Sequence, residues 1–454
     1  MEEKIIDYES LLIDLLEEKQ YTKLREVLSD MQTADIAAIM SEMEDEDSLK
    51  MFRILPKSIA VDVFADLELD AQQYIIQSLS DKEASSIIDN LMADDATDLL
   101  EEMPANIVRR ILKNAKPETR ADINKLLRYP EGSAGSLMTV EYVDLRQNMT
   151  VQDAIARIRE VAEDMETVNI CYVLDSQRLL LGTVTLSALV LSKPTTPVVD
   201  VMDDNLISIN TLTDQEEAAM MFSKYDFTAM PVVDNENRMV GIITIDDVVD
   251  IIQEEATEDI EKMAAITPSG DTPYFNVTVW ETYKNRIPWL LLLMISATVT
   301  GAIITRYESA LASYVILTAY IPMLMDTGGN SGSQASVSII RGISLNEIEF
   351  SDIFRTIWKE IRVAVLCGVT LAAANFVKLI VFDKLPMNVA AVICLTLVLV
   401  VFFAKLIGCT LPLLAKRIGL DPAVMASPFI TTLVDAISLT IYFFLATNML
   451  HLVV

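Results

Sequence analysis

The sequence predicts a multidomain protein: an α-helical superhelical N domain, an α/β domain built from two repeats, and an all-α membrane domain of five transmembrane helices. Three observations carry this prediction. Apolar residues recur every twelve positions early in the chain, a strand–helix–strand–strand–helix pattern then occurs twice, and nearly continuous apolar sequence follows residue 280. The expected boundaries are 1–130 for the helical repeats, 131–255 for the α/β pair, 256–283 for a connecting helix and 284–454 for the membrane domain.

The helical repeats are marked by a series of apolar residues that starts at Leu55 and ends at Leu127. A second series, from Ile75 to Ile123, stands eight residues after five members of the first. Each unit is typical of a short helix with Ser, Asp or Pro near its start, as in SDKEASSIIDNL and PANIVRRILKNA. Helices this short cannot bury an apolar face alone, so the pattern predicts a stacked superhelical array.

Two copies of an α/β unit follow the turn-rich stretch YPEGSAGSLM. The segment ICYVLDSQRLLLGTVTLSALV is echoed by AMPVVDNENRMVGIITIDDVV, with Asp175 and Gly182 answering Asp234 and Gly241 at the hairpins. This arrangement resembles a tandem pair of CBS domains, which fold together as a regulatory module. The resemblance implies an α/β fold for residues 131–255.

The CBS resemblance also suggests a nucleotide site. In the second copy, Thr244 and Asp247 of GIITIDD occupy the positions that hold a nucleotide ribose in this family. The first copy has Ser187 where that aspartate belongs, so at most one conventional site for an adenine nucleotide such as ATP is implied.

The formal charge of −31 and the sparse histidine and cysteine restrict the possible functions. Most acids lie before residue 280, which makes nucleic acid an unfavourable partner, because phosphate binding needs clustered Lys and Arg. A single histidine and four cysteines without C-x-x-C spacing supply few soft ligands, so any metal should be a hard cation. No nucleophile–base set or phosphate-cradling loop is present, and an enzyme is the least favoured class.

The second α/β copy ends in the acidic segment IDDVVDIIQEEATEDIEKM. At helical spacing, one stripe of this segment carries acids from Asp247 to Glu261, with almost no Lys or Arg to compensate their repulsion. A solvated face is the simpler interpretation. The one-sided charge favours a surface that divalent cations stabilise, with Asp94 and Asp98 of the helical repeats as candidate partners.

Five apolar spans are expected at residues 287–304, 311–325, 361–381, 389–414 and 428–450. The second is short unless the glycine-rich stretch after it continues the helix. Basic residues settle the orientation by the positive-inside rule. With the N-terminal half in the cytoplasm and the C-terminus outside, one side of the cell membrane collects Lys284, Arg286, Arg341, Arg355, Lys359, Arg362, Lys416 and Arg417.

Polar residues within these spans point to an ion path. Asp435 lies in the fifth span, and no basic residue stands one turn away. A carboxylate in hydrocarbon by default faces water, a partner or an ion pathway. The stretch PMLMDTGGNSGSQ is expected to be unwound backbone around a cavity, although small residues also serve as packing faces. Residues predicted to line the pore are Asp326, Gly328, Gly329 and Asn330.

PMLMDTGGNSGSQ, GLDPA at 419–423 and SPFITTLVDAISLTIY at 427–442 resemble the MgtE family of magnesium channels. The resemblance covers essentially the whole chain. It implies a homodimer in the lipid membrane that conducts Mg²⁺ through a pore at the subunit interface. Asp435 matches the pore aspartate of the family, and two copies would bind a largely hydrated Mg²⁺ on the axis.

The resemblance further implies that cytosolic Mg²⁺ closes the pore by bridging the N, CBS and connecting regions. The implied carboxylates are Asp62, Asp94, Asp98, Asp226, Asp247, Asp250, Glu255, Glu258 and Asp259, with Asp421 at the membrane face. Ser136 and Ser223 would offer backbone oxygens. ATP binding at the CBS pair is also implied.

Two other functions share parts of this pattern. An ion-coupled carrier for divalent cations would have the same motifs, and the sequence does not separate it from a channel. A membrane-anchored energy sensor would use the CBS pair alone, but it leaves Asp435 and the glycine-rich stretch unexplained.

Overall fold

The computed structural model describes residues 8–268, 274–275, 277–425 and 427–452. The chain divides into two compact units, Met1–Ile251 and Ile252–Val454. Residues 1–7 of the predicted N domain and residues 269–273 and 276 of the predicted connecting segment lie outside the described residues.

The first unit begins with ten short helices that stack around one apolar core. Every member of the predicted twelve-residue series from Leu55 to Ala115 is buried, and Leu127 packs against the same core. The series marks the end of each helix, where the chain turns into the next one. The helices are α1 Tyr8–Glu17, α2 Tyr21–Ser29, α3 Thr33–Glu42, α4 Asp45–Ile54, α5 Ala60–Ala65, α6 Leu69–Ser78, α7 Asp81–Ile88, α8 Ala93–Glu101, α9 Ala105–Asn114 and α10 Pro117–Leu126.

Local sequence signals mark the starts of two of these short helices, α7 and α10. The Ser80 side chain accepts the backbone N–H of Glu83 at the start of α7, and the Glu83 carboxylate accepts the N–H of Ser80 at 2.9 Å. This reciprocal capping box satisfies two backbone donors that a helix start otherwise leaves unpaired. Pro117 occupies the first turn of α10, where its missing N–H costs nothing.

The α/β part contains two three-stranded sheets with the same topology. In each, the first two strands are parallel and the second pairs antiparallel with the third, which confirms the predicted repeat. The elements are β1 Tyr142–Arg146, α11 Val151–Val161, β2 Thr167–Leu174, β3 Leu180–Thr185 and α12 Leu186–Leu191 in the first copy, then β4 Ile209–Asn210, α13 Gln215–Tyr225, β5 Ala229–Val233, β6 Met239–Thr244 and α14 Ile245–Met263 in the second.

The aspartates and glycines predicted at the two hairpins have specific structural roles. Asp175 accepts the N–H groups of Gln177 and Leu179, and Asp234 does the same one repeat later, which closes both turns. A Cβ on Gly241 would lie 2.5 Å from the carbonyl oxygen of Thr139. Only glycine permits that close approach of the backbone.

The second unit is helical. Among its described residues, four segments are long and apolar enough to cross a membrane: Val279–Arg306, Phe350–Val381, Met387–Arg417 and Pro422–Leu450. The helices are α15 Val279–Arg306, α16 Glu308–Ser313, α17 Ile321–Ser344, α18 Ile353–Val381, α19 Met387–Arg417 and α20 Ser427–Leu450. With 24 residues, α17 is about 36 Å long and can also span the hydrocarbon core, although it is less apolar.

The predicted second span, residues 311–325, is wrong as drawn. This segment breaks into α16, a 3-10 helix over Val315–Tyr320 and the first turn of α17. The glycine-rich stretch is not unwound. It forms the middle of α17 as regular helix, which is the continuation that the sequence left open. Glycine is an unfavourable helix residue in water by about 1 kcal/mol, but here its small size allows helices to pack closely, which offsets that preference.

Candidate metal sites and pore contacts

Acidic side chains from four segments gather in the first unit. This acidic cluster consists of Asp94, Asp95 and Asp98 of α8, Glu141 before β1, Glu166 before β2, and Asp246 and Asp247 at the start of α14. Sequence reasoning included Asp94, Asp98 and Asp247 but missed the other four. These four acids are brought together by tertiary packing, and neither their spacing along a helix nor their position beside a strand indicates this in the sequence.

Hydrogen bonds fix part of the cluster. The Glu141 carboxylate accepts the Thr139 hydroxyl at 2.6 Å and the backbone N–H of Ala93, the first residue of α8, at 3.4 Å. At the start of α14, the Thr244 hydroxyl donates to Asp247 at 2.8 Å. These contacts orient carboxylates of different segments toward the same region.

Burial, together with neighbouring carboxylates, raises the pKa of five acids in the cluster, namely Asp94, Asp95, Asp98, Glu166 and Asp247. Burial, followed by the charge of Asp247, holds the pKa of Asp94 well above its ordinary value, and only 7% of this residue is exposed. Burial and the neighbouring aspartates Asp246 and Asp247 raise the pKa of Glu166 to about 7. Burial also raises the pKa of Asp247 to about 6, although the Thr244 hydroxyl acts in the opposite direction.

Two further members behave alike despite their exposed positions. Asp95 and Asp98 are exposed as residues, yet the protein around their carboxyls raises their pKa to about 6 and about 7. Within the described ranges, no Lys or Arg pairs with any carboxylate of the cluster. A cation from solution would therefore lower the free energy of this arrangement.

The arrangement suits a hydrated cation better than a tightly chelated one. Among the residues that the structure describes, no group of three or more His, Cys, Asp or Glu side chains is close enough to hold a metal ion directly. Mg²⁺ keeps several of its waters and binds through one or two carboxylates, so a looser acidic surface fits this ion.

Several predicted ligands of the first unit lie outside the acidic cluster. Asp62 on α5 and Asp250 on α14 are exposed, as are Ser223 and Asp226 at the end of α13. Asp226 adopts a left-handed conformation with a φ of 54°. Ser136 is buried, and its hydroxyl donates to the carbonyl of Ser133 at 2.8 Å.

In the second unit, the end of α14 contacts the connection between α19 and α20. The Lys262 ammonium lies 2.5 Å from the Glu258 carboxylate and 2.6 Å from that of Asp421. Lys262 is the one base in this acidic segment, and these contacts place it against two of the carboxylates. Asp259 is part of the same region: burial, followed by the charge of Asp421, raises the pKa of Asp259. Glu255 lies on α14 one turn before it and is half-buried.

Apolar packing holds this contact against other segments of the second unit. Met263, the last residue of α14, packs against Ile340 of α17 and Ala423 of the α19–α20 connection. The Ser336 hydroxyl of α17 donates to the carbonyl of Met425 at 3.1 Å. The end of α14 is therefore packed against α17 and the connection that leads into α20.

Three glycines of α17, namely Gly328, Gly329 and Gly332, lie in its contacts with α19 and α20. A Cβ on Gly328 would meet Val434 and Ser438 of α20, and one on Gly329 would meet Thr431. A Cβ on Gly408 of α19 would lie 2.2 Å from the carbonyl oxygen of Gly332 in α17. Gly328 and Gly329, which the sequence placed along the pore, are thus buried in helix contacts.

A polar stripe of α17 remains exposed. It consists of Asp326, Asn330, Gln334, Ser338 and Arg341, each a helical turn from the next. The Asn330 amide donates to Asp326 at 3.1 Å. The sequence predicts Asp326 and Asn330 as pore residues. It does not reveal the full stripe, because the stripe is defined by the glycine face of α17 that packs against other helices.

Asp435 lies on α20, half-buried between the helices. In the described part of the chain, its Oδ1 atom is buried without a hydrogen-bond partner, and the same holds for the Ser438 hydroxyl one turn later. Asp326 of α17 interacts with it electrostatically. A buried carboxylate oxygen without a donor needs a cation, a proton or water in the assembled protein.

Comparison with known proteins identifies the family to which this chain is similar. The profile described as "Divalent cation transporter" (MgtE) matches residues 321–445, that of the MgtE intracellular N domain matches 31–132, and that of the CBS domain matches 198–254. The chain is 37% identical over its full length to the magnesium transporter MgtE of Thermus thermophilus, covering 100% of both chains. It is 32% identical to that of Bacillus subtilis over 97% of both chains.

The chain belongs to the MgtE family of magnesium transporters. The resemblance seen in its motifs is confirmed, and so are the fold class and the prediction that it is not an enzyme. Mg²⁺ is the ion that this family transports.

Solved structures related to this MgtE-family chain cover about half of it. The crystal structure of "the cytosolic domain of the Mg2+ channel MgtE in complex with ATP" shares 37% identity, covers 53% of this chain and 98% of that chain, and has a TM-score of 0.51. The "soluble part of a magnesium transporter" shares 27% identity, covers 55% and 98%, and has the same TM-score.

The MgtE-family chain has a cavity that is lined mainly by its first CBS copy. It measures about 530 Å³, and its lining residues are Asn169, Ile170, Thr185, Leu186, Ser187 and Val190 of the first copy and Thr228 of the second. The predicted nucleotide residues Thr244 and Asp247 lie instead in the second copy, where they bond to each other beside the acidic cluster.

Proposed function

We propose that this chain forms a homodimeric, Mg²⁺-selective channel of the cell membrane, which cytosolic Mg²⁺ closes. The observation that carries the proposal is the exposed polar stripe of α17. In hydrocarbon, the amides of Asn330 and Gln334 would lose their hydrogen bonds to water. A second copy facing this stripe would enclose a hydrated path instead.

The position of Asp435 supports the same path. Its partnerless carboxylate oxygen lies on α20, within electrostatic range of Asp326 on α17. Two chains would bring four carboxylates to one axis, which suits a divalent ion that keeps most of its water. We therefore assign ion binding in the pore to Asp435 and Asp326.

The proposed orientation places the N-terminal half in the cytoplasm and the C-terminus outside. Lys284 and Arg286 begin α15, Arg341 ends α17, and Lys416 and Arg417 end α19. The positive-inside rule assigns these basic ends to the cytoplasmic side. Five spanning helices then leave the end of α20 on the outer side.

The proposed closing mechanism uses the acidic cluster and the end of α14. At high cytosolic Mg²⁺, cations neutralise the facing carboxylates and stabilise the compact arrangement. At low Mg²⁺, repulsion between these carboxylates favours separation. The packing of Met263 against α17 and Ala423 supports this mechanism, because movement of α14 acts directly on the helices of the proposed pore.

The pore assignment is tested with Asp435→Ala. This variant should abolish both the Mg²⁺ current in membrane patches and the rescue of a magnesium-starved strain that lacks its own transporters. Thr440→Ala is the matched control, because Thr440 is exposed on the same helix and bonds only the carbonyl of Ala436. Undiminished current in Asp435→Ala would remove this residue from the pore.

An ion-coupled carrier is the alternative, and current recording separates the two. A channel gives unitary current steps that depend only on the Mg²⁺ gradient and voltage. A carrier gives no resolvable steps and requires the gradient of a second ion.

We also propose that adenine nucleotide binds the cavity of the first CBS copy. Its volume fits a ligand of this size, and Thr185 and Ser187 supply hydroxyls 3.0 Å apart. ATP binding to the purified full-length chain should be lost in Ser187→Trp, which fills the cavity, and retained in Asp247→Asn. The reverse result would return the nucleotide to Thr244 and Asp247.

A further inference from the structure

Lys262 makes an unusual bridge in the second unit. Its ammonium contacts two carboxylates at once, Glu258 at 2.5 Å and Asp421 at 2.6 Å, and its side chain is only 22% exposed. Glu258 stands one turn earlier on α14, whereas Asp421 lies 159 residues away in the connection between α19 and α20. A single cation therefore joins two segments whose own charges repel.

The surroundings preorganise this bridge. The second carboxylate oxygen of Asp421 accepts the backbone N–H of Ala423 at 2.8 Å, which fixes the orientation of the carboxylate. Met263, the next residue after Lys262, packs against Ala423 and Ile340. A lysine side chain is ordinarily protonated at neutral pH, so it brings a positive charge to this contact.

We propose that Lys262 is a tethered cation that takes the place of a free divalent ion at this contact. The inference rests on the proposed function, in which bridging cations close the channel. The ammonium neutralises Glu258 and Asp421 at every Mg²⁺ concentration, because it is part of the chain. Closure at this contact then needs no ion from solution, and Lys262 acts as a positioning residue that sets how much Mg²⁺ the gate requires.

Replacement of Lys262 by a neutral side chain has two consequences. Glu258, Asp259 and Asp421 would face each other without a counter-charge, which disfavours the closed state at low Mg²⁺. The vacated carboxylates would also become available to Mg²⁺, which adds an ion to the closing step. Lys262→Met should therefore shift the half-inhibiting Mg²⁺ concentration upward by about tenfold, equivalent to about 1.4 kcal/mol, and steepen the inhibition curve.

The experiment is a Mg²⁺ inhibition curve in inside-out patches for the unaltered full-length chain and its variants. Lys262→Arg keeps the charge and should stay close to the unaltered curve. Asp421→Asn removes the bridge without freeing a pair of carboxylates, so its midpoint should rise while its slope does not. If Lys262 only supported local structure, Lys262→Met and Asp421→Asn would affect the slope of the inhibition curve in the same way. A steeper curve in Lys262→Met alone therefore distinguishes the proposed role.

The outcomes separate the inference from the proposed function. If the unaltered chain is inhibited by Mg²⁺ and Lys262→Met keeps its midpoint and slope, the inference is overturned alone. If Mg²⁺ does not inhibit the unaltered chain, the result contradicts both the proposed gating and the inference about Lys262. Should Lys262→Met yield no protein, the exchange Lys262→Asp with Asp421→Lys serves instead. A midpoint near that of the unaltered chain supports the bridge, and a midpoint equal to Lys262→Asp alone overturns it.

Discussion

Asp247→Asn is expected to stabilise the Mg²⁺-free protein and to weaken its response to Mg²⁺. The carboxyl of Asp247 lies in the acidic cluster, where burial raises its pKa from 3.8 to about 6. Asparagine removes the charge but keeps an oxygen that can accept the Thr244 hydroxyl. The substitution therefore tests charge rather than hydrogen bonding or volume.

The size of the effect follows from the pKa of Asp247. A carboxyl whose pKa rises from 3.8 to about 6 on folding costs about 3 kcal/mol more to ionise in the folded than in the unfolded state. Solvent around this half-buried group screens the interaction, so we expect about 1–2 kcal/mol. For a unit of this size, the midpoint of thermal unfolding should rise by about 2–8 °C.

The assay is thermal unfolding of the detergent-purified chain at pH 7.5, with and without Mg²⁺. Without Mg²⁺, Asp247→Asn should unfold at a higher temperature than the unaltered protein. Addition of Mg²⁺ should raise the unfolding temperature of Asp247→Asn by less than it raises that of the unaltered protein, because the variant offers the cation less negative charge to neutralise. Asp204→Asn, an exposed acid of the same unit, is the control and should leave both values unchanged. Two results would refute this explanation. One is an unfolding midpoint of Asp247→Asn below that of the unaltered protein without Mg²⁺, and the other is an equal rise of the two midpoints when Mg²⁺ is added.

Two further predictions concern pH and packing. Because the pKa values of Glu166 and Asp247 are raised to about 7 and about 6, the folded state binds more protons than the unfolded state between about pH 4 and 7. Without Mg²⁺, the unfolding temperature should therefore rise as pH falls from 8 to 5.5. Saturating Mg²⁺ should weaken this pH dependence. An equal pH dependence with and without Mg²⁺ would contradict binding of Mg²⁺ at the acidic cluster. In α19, Gly408→Val would place atoms against the Gly332 carbonyl, so the variant should lose its monodisperse peak in size-exclusion chromatography. Gly301→Val, where a Cβ meets nothing within 4 Å, should keep that peak, and equal behaviour of the two variants would argue against the helix contact.

The sequence predicts those features whose cause is local. The twelve-residue series from Leu55 marks helix ends because each helix must bury the same apolar position. Asp175 and Asp234 mark hairpins because their side chains bond the backbone two and four residues later. Such signals depend on neighbours in the chain and can be read without a structure.

Features that depend on distant contacts were missed or misplaced. The glycine-rich part of α17 was expected to unwind, because its propensity is visible in the sequence while its packing against α20 is not. The bridge from Lys262 to Asp421 joins residues far apart in the chain, and Glu166 enters the acidic cluster only through the fold. In each case a tertiary contact outweighs the local preference.

The most direct measurement is the Mg²⁺ current of the purified, reconstituted chain in inside-out patches as the Mg²⁺ concentration on the cytosolic face is raised. We expect unitary currents carried by Mg²⁺ at micromolar concentration and their progressive loss toward the millimolar range. Patches that contain the protein and pass no Mg²⁺ current at any concentration, or a current that millimolar Mg²⁺ leaves unchanged, would contradict the proposed function.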